Sequence, residues 1–95
     1  MKGKVAMRAI VTVTGKDAVG IIAQVSAACT EANANIEDIT QKVFDDLFVM
    51  VMLVNIDGLS CKFTEFVDRM TELGKNNGLA IHTMHEEIFN AMHRI

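Results

Sequence analysis

Tryptophan, tyrosine and proline are all absent from the 95 residues, and the five aromatic side chains are all phenylalanine. No arginine is interleaved with them, so the chain offers no platform on which bases would stack. Nine lysines and arginines, scattered singly between Lys2 and Arg94, face twelve acidic residues, for a formal net charge of -3. Without a basic block, nothing draws the chain to nucleic acid or to an anionic membrane. No run reaches the roughly 18 apolar residues of a membrane-spanning helix, and the longest, Leu47 to Val54, is strand-length. Residues Met1 to Met7 lead into no signal-peptide core, so a cytoplasmic location is expected. Cys29 and Cys61 stand far apart with no CxxC spacing. Both read as reduced thiols rather than as a zinc site or redox pair.

Catalytic signatures are equally scarce. Gly15 and Gly20 match neither the dinucleotide nor the P-loop pattern. Ser26 and Ser60 have no histidine and acid at a recognisable hydrolase spacing. His82, His85 and His93 invite a metal reading, but a strand reaching His85 points His82 and His85 to opposite faces. His85-Glu86 opens like the zinc-protease helix motif, yet Phe89 stands where its second histidine belongs. The seven methionines fall at core spacings and read as packing. The chain is therefore expected to be no enzyme and to need no cofactor or metal.

What is present is a regular alternation of strand and helix patterns. At 51% hydrophobic and 22% charged, the composition is that of one globular domain. A chain this short buries only about two-thirds of its unfolded surface, so assembly with a second copy helps it. The organising stretch runs from Val11 to Ala23, a strand end, a tight loop and a helix start. Gly15 and Gly20 bracket the loop, and Asp17 is placed to cap the helix. A helix start of this kind can receive a small anion, although capped turns without any ligand are common.

In order, Lys4 to Thr14 alternates as a strand with Val5, Met7, Ala9, Val11 and Val13 on one face. Ile21, Ile22, Val25, Ala28, Cys29 and Ala32 recur at helical spacing. Asn33 supplies a left-handed stop. Asn35 to Phe44 reads as a second, more polar strand, Asp45-Asp46 as a turn, and Phe48 to Ile56 as a third strand. Ser60 is the expected cap of a second helix with Phe63, Phe66, Val67, Met70 and Leu73 as its stripe. Asn76-Asn77-Gly78 stops it, Leu79 to His85 forms a fourth strand, and Glu86 to Ile95 a terminal helix with Ile88, Met92 and Ile95 on one side. The fold class is α+β. Two βαβ units interlock as a ferredoxin-like βαββαβ sandwich, a four-stranded antiparallel sheet with two helices on one face plus a C-terminal helix. The core is expected at 4–85 and the terminal helix at 86–95, within one domain over 1–95.

The third strand is apolar on both faces, with Val49, Val51 and Leu53 opposite Phe48, Met50, Met52 and Val54. Leaving its second face in water forgoes about 1.5–3 kcal/mol for each large side chain. A homodimer covers that face most simply, with the terminal helix as a lid the other possibility. Edge-to-edge and face-to-face pairing both stay open.

The stretches Gly15-Lys16-Asp17-Ala18-Val19-Gly20-Ile21-Ile22-Ala23 and Glu31-Ala32-Asn33-Ala34-Asn35-Ile36-Glu37-Asp38-Ile39 resemble those of an ACT domain. The element order from Val5 to Met84 is similar too. The ending from His85 to Ile95 resembles short stand-alone bacterial and archaeal ACT proteins related to the regulator of the glycine cleavage system. Val19 departs from the proline frequent before the loop glycine, and Asn33 from the glycine frequent after the first helix. The resemblance implies a regulatory domain that binds a small molecule, commonly an amino acid, at a subunit interface. Carried over by position, the ligand-binding residues are Lys16, Asp17, Ala18, Val19, Gly20, Ile21 and Ile22 of one subunit with Asn35 and Ile36 of another. A helix start contributes about 0.3–1 kcal/mol to holding a carboxylate, whereas millimolar binding requires about 4 kcal/mol. Contacts from a second segment are therefore required, and Asn35 offers both a donor and an acceptor. A regulated protein partner is implied as well. The alternative is a structural dimerisation or protein-interaction module with an empty loop, and a third reading is a metal-dependent protein using the three histidines.

Overall fold

The computed structural model describes residues 6–16 and 19–93. Its elements are β1 (Arg8–Gly15), α1 (Ile21–Glu31), β2 (Asn35–Phe44), β3 (Leu47–Asn55), α2 (Phe63–Asn76), β4 (Ala80–His85) and α3 (Glu86–Met92). The four strands form one sheet in the order β2-β3-β1-β4, and every neighbouring pair is antiparallel. This is the ferredoxin-like arrangement, with the expected extra helix at the end.

Paired residues on adjacent strands share a face, so the register sorts the whole sheet. Val13, Met50 and Ile81 lie level, as do Val11 with Met52 and Ala9 with Val54. These apolar residues are buried with Ile21, Val25, Ala28 and Cys29 of α1 and Phe66 and Met70 of α2. They form the core between the sheet and the two helices. On the opposite face β3 presents Val49, Val51 and Leu53, all half-buried. Ile10 on that face is 8% exposed and lies outside the main core cluster.

Several sequence expectations shift in the structure. Asp17 lies outside the described residues, and the helix-capping position is taken by Gly20, at φ 78° with no side-chain cap. A Cβ there would meet nothing closer than Gln24 Nε2 at 4.0 Å, so the left-handed backbone rather than space calls for glycine. Starting α1 at Ile21 leaves Ile22 40% exposed, off the stripe assigned to it. Ser60 does not cap α2. Its N–H donates to Ala32 O at 2.9 Å and its hydroxyl to Glu31 O at 3.5 Å, fastening the β3–α2 loop to the end of α1. The cap is Lys62, whose N–H donates to Glu65 Oε1 at 3.2 Å, half of a capping box.

Other local signals hold. Asn33 adopts φ 59°, and its Nδ2 donates to Gly58 O at 2.7 Å. Asp45 turns the β2–β3 hairpin at φ 55°. At Gly74 α2 approaches β4 closely: a Cβ would sit 2.8 Å from Leu79 O and 2.9 Å from Ile81 Cγ1. The expected lid is not a buried one, for α3 has no buried residue, and Ile88 and Met92 are 52% and 66% exposed. Ile95, like Lys4 and Val5 of the expected first strand, lies outside the described residues.

Candidate functional site

The β1–α1 connection starts where Gly15 packs directly on the Leu79 side chain. Lys16 leaves the sheet there, and its Nζ lies 3.7 Å from Asp46 Oδ2 of the β2–β3 hairpin, with both side chains well exposed. Asp17 and Ala18 lie outside the described residues. Val19 is 91% exposed, and Gly20 opens α1 by accepting from Gln24 N at 3.2 Å. The Ile21 side chain belongs to the core at 1% exposed, so toward a ligand it offers its backbone N–H. That group is among the first four N–H groups of a helix, which lack an intrahelical acceptor. The half-exposed Ile22 side chain stands beside it.

Asn35 and Ile36 sit elsewhere. Asn35 is level with Asn55, and Asn55 with Arg8, at the opposite end of the sheet from Lys16. Eight residues of strand separate the two levels, about 26 Å at 3.3 Å per residue. Within one protomer the two expected halves of the ligand site do not meet. β2 is nonetheless an edge strand of ten residues, exposed along nearly its whole length. An edge of this kind is a template for pairing with another strand.

The Asn35 end carries an ion-pair cluster that no sequence pattern signalled. A β-bulge between Ile36 and Asp38 leaves Glu37 without a level partner on β3. Glu37 Oε1 lies 3.6 Å from Arg8 Nη1, and Glu37 Oε2 accepts from Asn55 Nδ2 at 3.2 Å. Arg8 also donates through Nε and Nη2 to the two oxygens of Glu86 at 2.9 and 2.8 Å. The hydrogen bond and charge of Glu86, with a smaller contribution from Glu37, raise the Arg8 pKa above its ordinary value. A cavity of about 330 Å³ opens beside this cluster, between the start of β1 and the start of α3. A shallow groove of about 450 Å³ runs between α1 and α2, past Gln24, Ala28, Arg69 and Leu73. Neither holds a residue of the expected ligand site.

His82 and His85 do face opposite ways, level with Thr12 and Ala9. His85 stacks on Phe63 at 4.0 Å, and His93 on Phe89 at 4.3 Å. Among the described residues no three histidine, cysteine or acidic side chains gather as a metal site. No described helix is long and apolar enough to cross a membrane.

Comparison with known proteins agrees with this architecture. The family model of the ACT domain matches residues 8–84. A UPF0237 protein of Listeria innocua is 44% identical over 89 residues, covering 94% of this chain and all of the relative. One from Methanopyrus kandleri is 42% identical over 88 residues, covering 93% of this chain and 98% of its own. Among solved structures, an ACT domain protein from Streptococcus pneumoniae superposes with a TM-score of 0.77 at 38% identity, covering 90% of this chain and 96% of that one. With the family model matching most of the chain and near full-length relatives above 40% identity, this chain belongs to the ACT-domain family.

Proposed function

We propose that the protein is a regulatory ACT domain of the cytoplasm that binds an amino acid or a similar small ligand across a homodimer interface. Occupancy would then be passed to a partner protein. The observation that carries this reading is the separation of the two expected half-sites in a chain whose β2 lies at the sheet edge, with no further strand beside it among the described residues. Antiparallel pairing of β2 with the β2 of a second copy sets the Asn35 end of one against the Phe44 end of the other. The partner's Asn35 then approaches the level of Lys16, Val19 and Gly20. A ligand held there meets the N–H groups at the start of α1 from one side and an amide side chain from the other.

Thermal unfolding with and without each amino acid tests this directly. Ligand at about 100 times its dissociation constant adds about 2.7 kcal/mol to the folded state. For a domain of this size each kcal/mol raises Tm by about 4–8 °C. One or two amino acids raising Tm in the native protein but not in Asn35→Ala is the expected result. No shift with any of them favours the second reading, a structural interaction module. That reading draws on the two cavities lying away from the β1–α1 loop.

A further inference from the structure

We infer that Arg8 is a relay between the β2 edge and α3, so that whatever engages Glu37 at the edge sets how firmly the terminal helix is docked. The relay rests on the ligand reading for what engages the edge, and on three charged side chains for the rest. Arg8 stands on β1, and its one guanidinium receives two carboxylates. Glu86, at the start of α3, takes Nε and Nη2 at 2.9 and 2.8 Å. Glu37, on the bulge of β2, reaches Nη1 at the longer distance of 3.6 Å, and its other oxygen accepts from Asn55 Nδ2 at 3.2 Å. β2 forms one edge of the sheet, whereas α3 follows β4 at the other. One positive charge is thus divided between two negative ones that repel each other. All three side chains are half-buried, so a carboxylate can change partner without unfolding the strand that carries it.

α3 is the element that such a change moves. It has no buried residue and follows β4 with no linker. It turns at His85, whose ring is held on Phe63 at 4.0 Å. The pivot is anchored while the helix beyond it is not. Among the described residues the pair from Arg8 is the one ionic tie between α3 and the sheet. Ile88 and Met92, one turn apart, are 52% and 66% exposed, and a cavity of about 330 Å³ lies between the start of α3 and that of β1. A helix held in this way has two discrete arrangements, docked and released, and a two-state element is what coupling between separate sites requires.

The other end of the relay lies beside the expected half-site. Glu37 is bonded to Asn55, and Asn55 is level with Asn35 on the same face. An amino acid brings an ammonium group as well as a carboxylate. Its carboxylate suits the start of α1, which leaves the ammonium for the side of Asn35 and Glu37. Drawing Glu37 toward that ammonium leaves Arg8 wholly to Glu86, and α3 docks more firmly.

Amide exchange of the full chain, followed by NMR with no ligand present, tests the relay. Glu37→Gln keeps the shape of the side chain and removes its charge, as a bound ammonium would neutralise it. Exchange at residues 90–93, whose amides bond within α3, is expected to slow about fivefold, the low end of ordinary coupling between sites. β1 and β3 are expected to keep their native protection. In Arg8→Ala the same substitution at Glu37 is expected to change nothing. Unchanged or faster exchange in Glu37→Gln overturns the proposal. Equal slowing in both backgrounds overturns it too, since Glu37 would then act on the helix without Arg8. The thermal screen of amino acids keeps the ligand reading separate. With an amino acid that raises Tm, the native protein is expected to show the same slowing of α3, and Arg8→Ala the Tm shift alone. Slowed exchange of α3 in Arg8→Ala under that amino acid overturns the relay. If no amino acid raises Tm, the ligand reading fails and Glu37→Gln decides the relay by itself.

Discussion

Arg8 and Glu86, 78 positions apart, are joined by two hydrogen bonds of 2.9 and 2.8 Å. Fork-to-carboxylate pairing of this kind fixes orientation as well as distance. It fastens α3, which has no buried residue of its own, to the start of the sheet. In Arg8→Ala, amide hydrogens of Glu86–Met92 are expected to exchange much faster while those of β1 and β3 keep their protection. Equal loss of protection in both regions would mean that Arg8 supports the sheet rather than the helix.

Gly74 marks the closest approach of α2 to β4. Alanine at an ordinary helical position is favoured over glycine by about 1 kcal/mol. Here its methyl group would enter the space held by Leu79 O and Ile81, and overpacking typically costs about 1–3 kcal/mol. Gly74→Ala is expected to lower the urea midpoint, and a gain in stability would show that the α2–β4 contact gives way easily.

Thr83 carries the opposite opportunity. Its hydroxyl is buried with no hydrogen-bond partner among the described residues. A buried unsatisfied group costs about 1–3 kcal/mol, and valine keeps the shape without the oxygen. Thr83→Val is expected to raise the urea midpoint by an amount equivalent to about 1 kcal/mol at unchanged m-value. A fall in the midpoint would show that the hydroxyl is solvated or bonded in solution.

Burial pushes the Cys29 thiol up to about 11, because the thiolate is disfavoured among apolar neighbours. The unfolded chain begins to lose this proton near pH 9, while the folded chain holds it to about pH 11. The stabilising effect is thus full below pH 9 and is lost as pH rises through 11. Cys29→Ala is expected to flatten the stability profile over that interval. In the native protein a thiol reagent is expected to modify Cys61, which is half-buried, well before Cys29, which is 1% exposed.

How legible these features are in the sequence depends on how local their causes are. The span of β2 and the left-handed turn at Asn33 rest on neighbouring residues, and both are written in the pattern. Helix starts are less transparent. Gly20 opens α1 with no side-chain cap, so Ile22 swings outward although its spacing suits the stripe. At α2 the backbone of Lys62 recruits Glu65, and Ser60 is drawn away to the end of α1. The cluster of Arg8, Glu37 and Glu86 has no local signature. It needs a bulge and a contact across most of the chain, and neither leaves a periodicity. The two halves of the expected ligand site are each visible in sequence, but their distance apart becomes apparent only from the register.

The strand order has a consequence for how the protein is made. β1 is the first of the four strands to leave the ribosome, yet one of its two neighbours is β4, the last of them to emerge. Closing so long a segment is slow compared with forming the β2–β3 hairpin. A nascent chain that stops short of Ala80 can complete β2-β3-β1, but it leaves β1 as an unpaired apolar edge. Such a strand is prone to pair with whatever extended segment it meets. C-terminal truncation of even this short final strand is therefore a route to aggregation, and the quality of the product depends on synthesis running to its end.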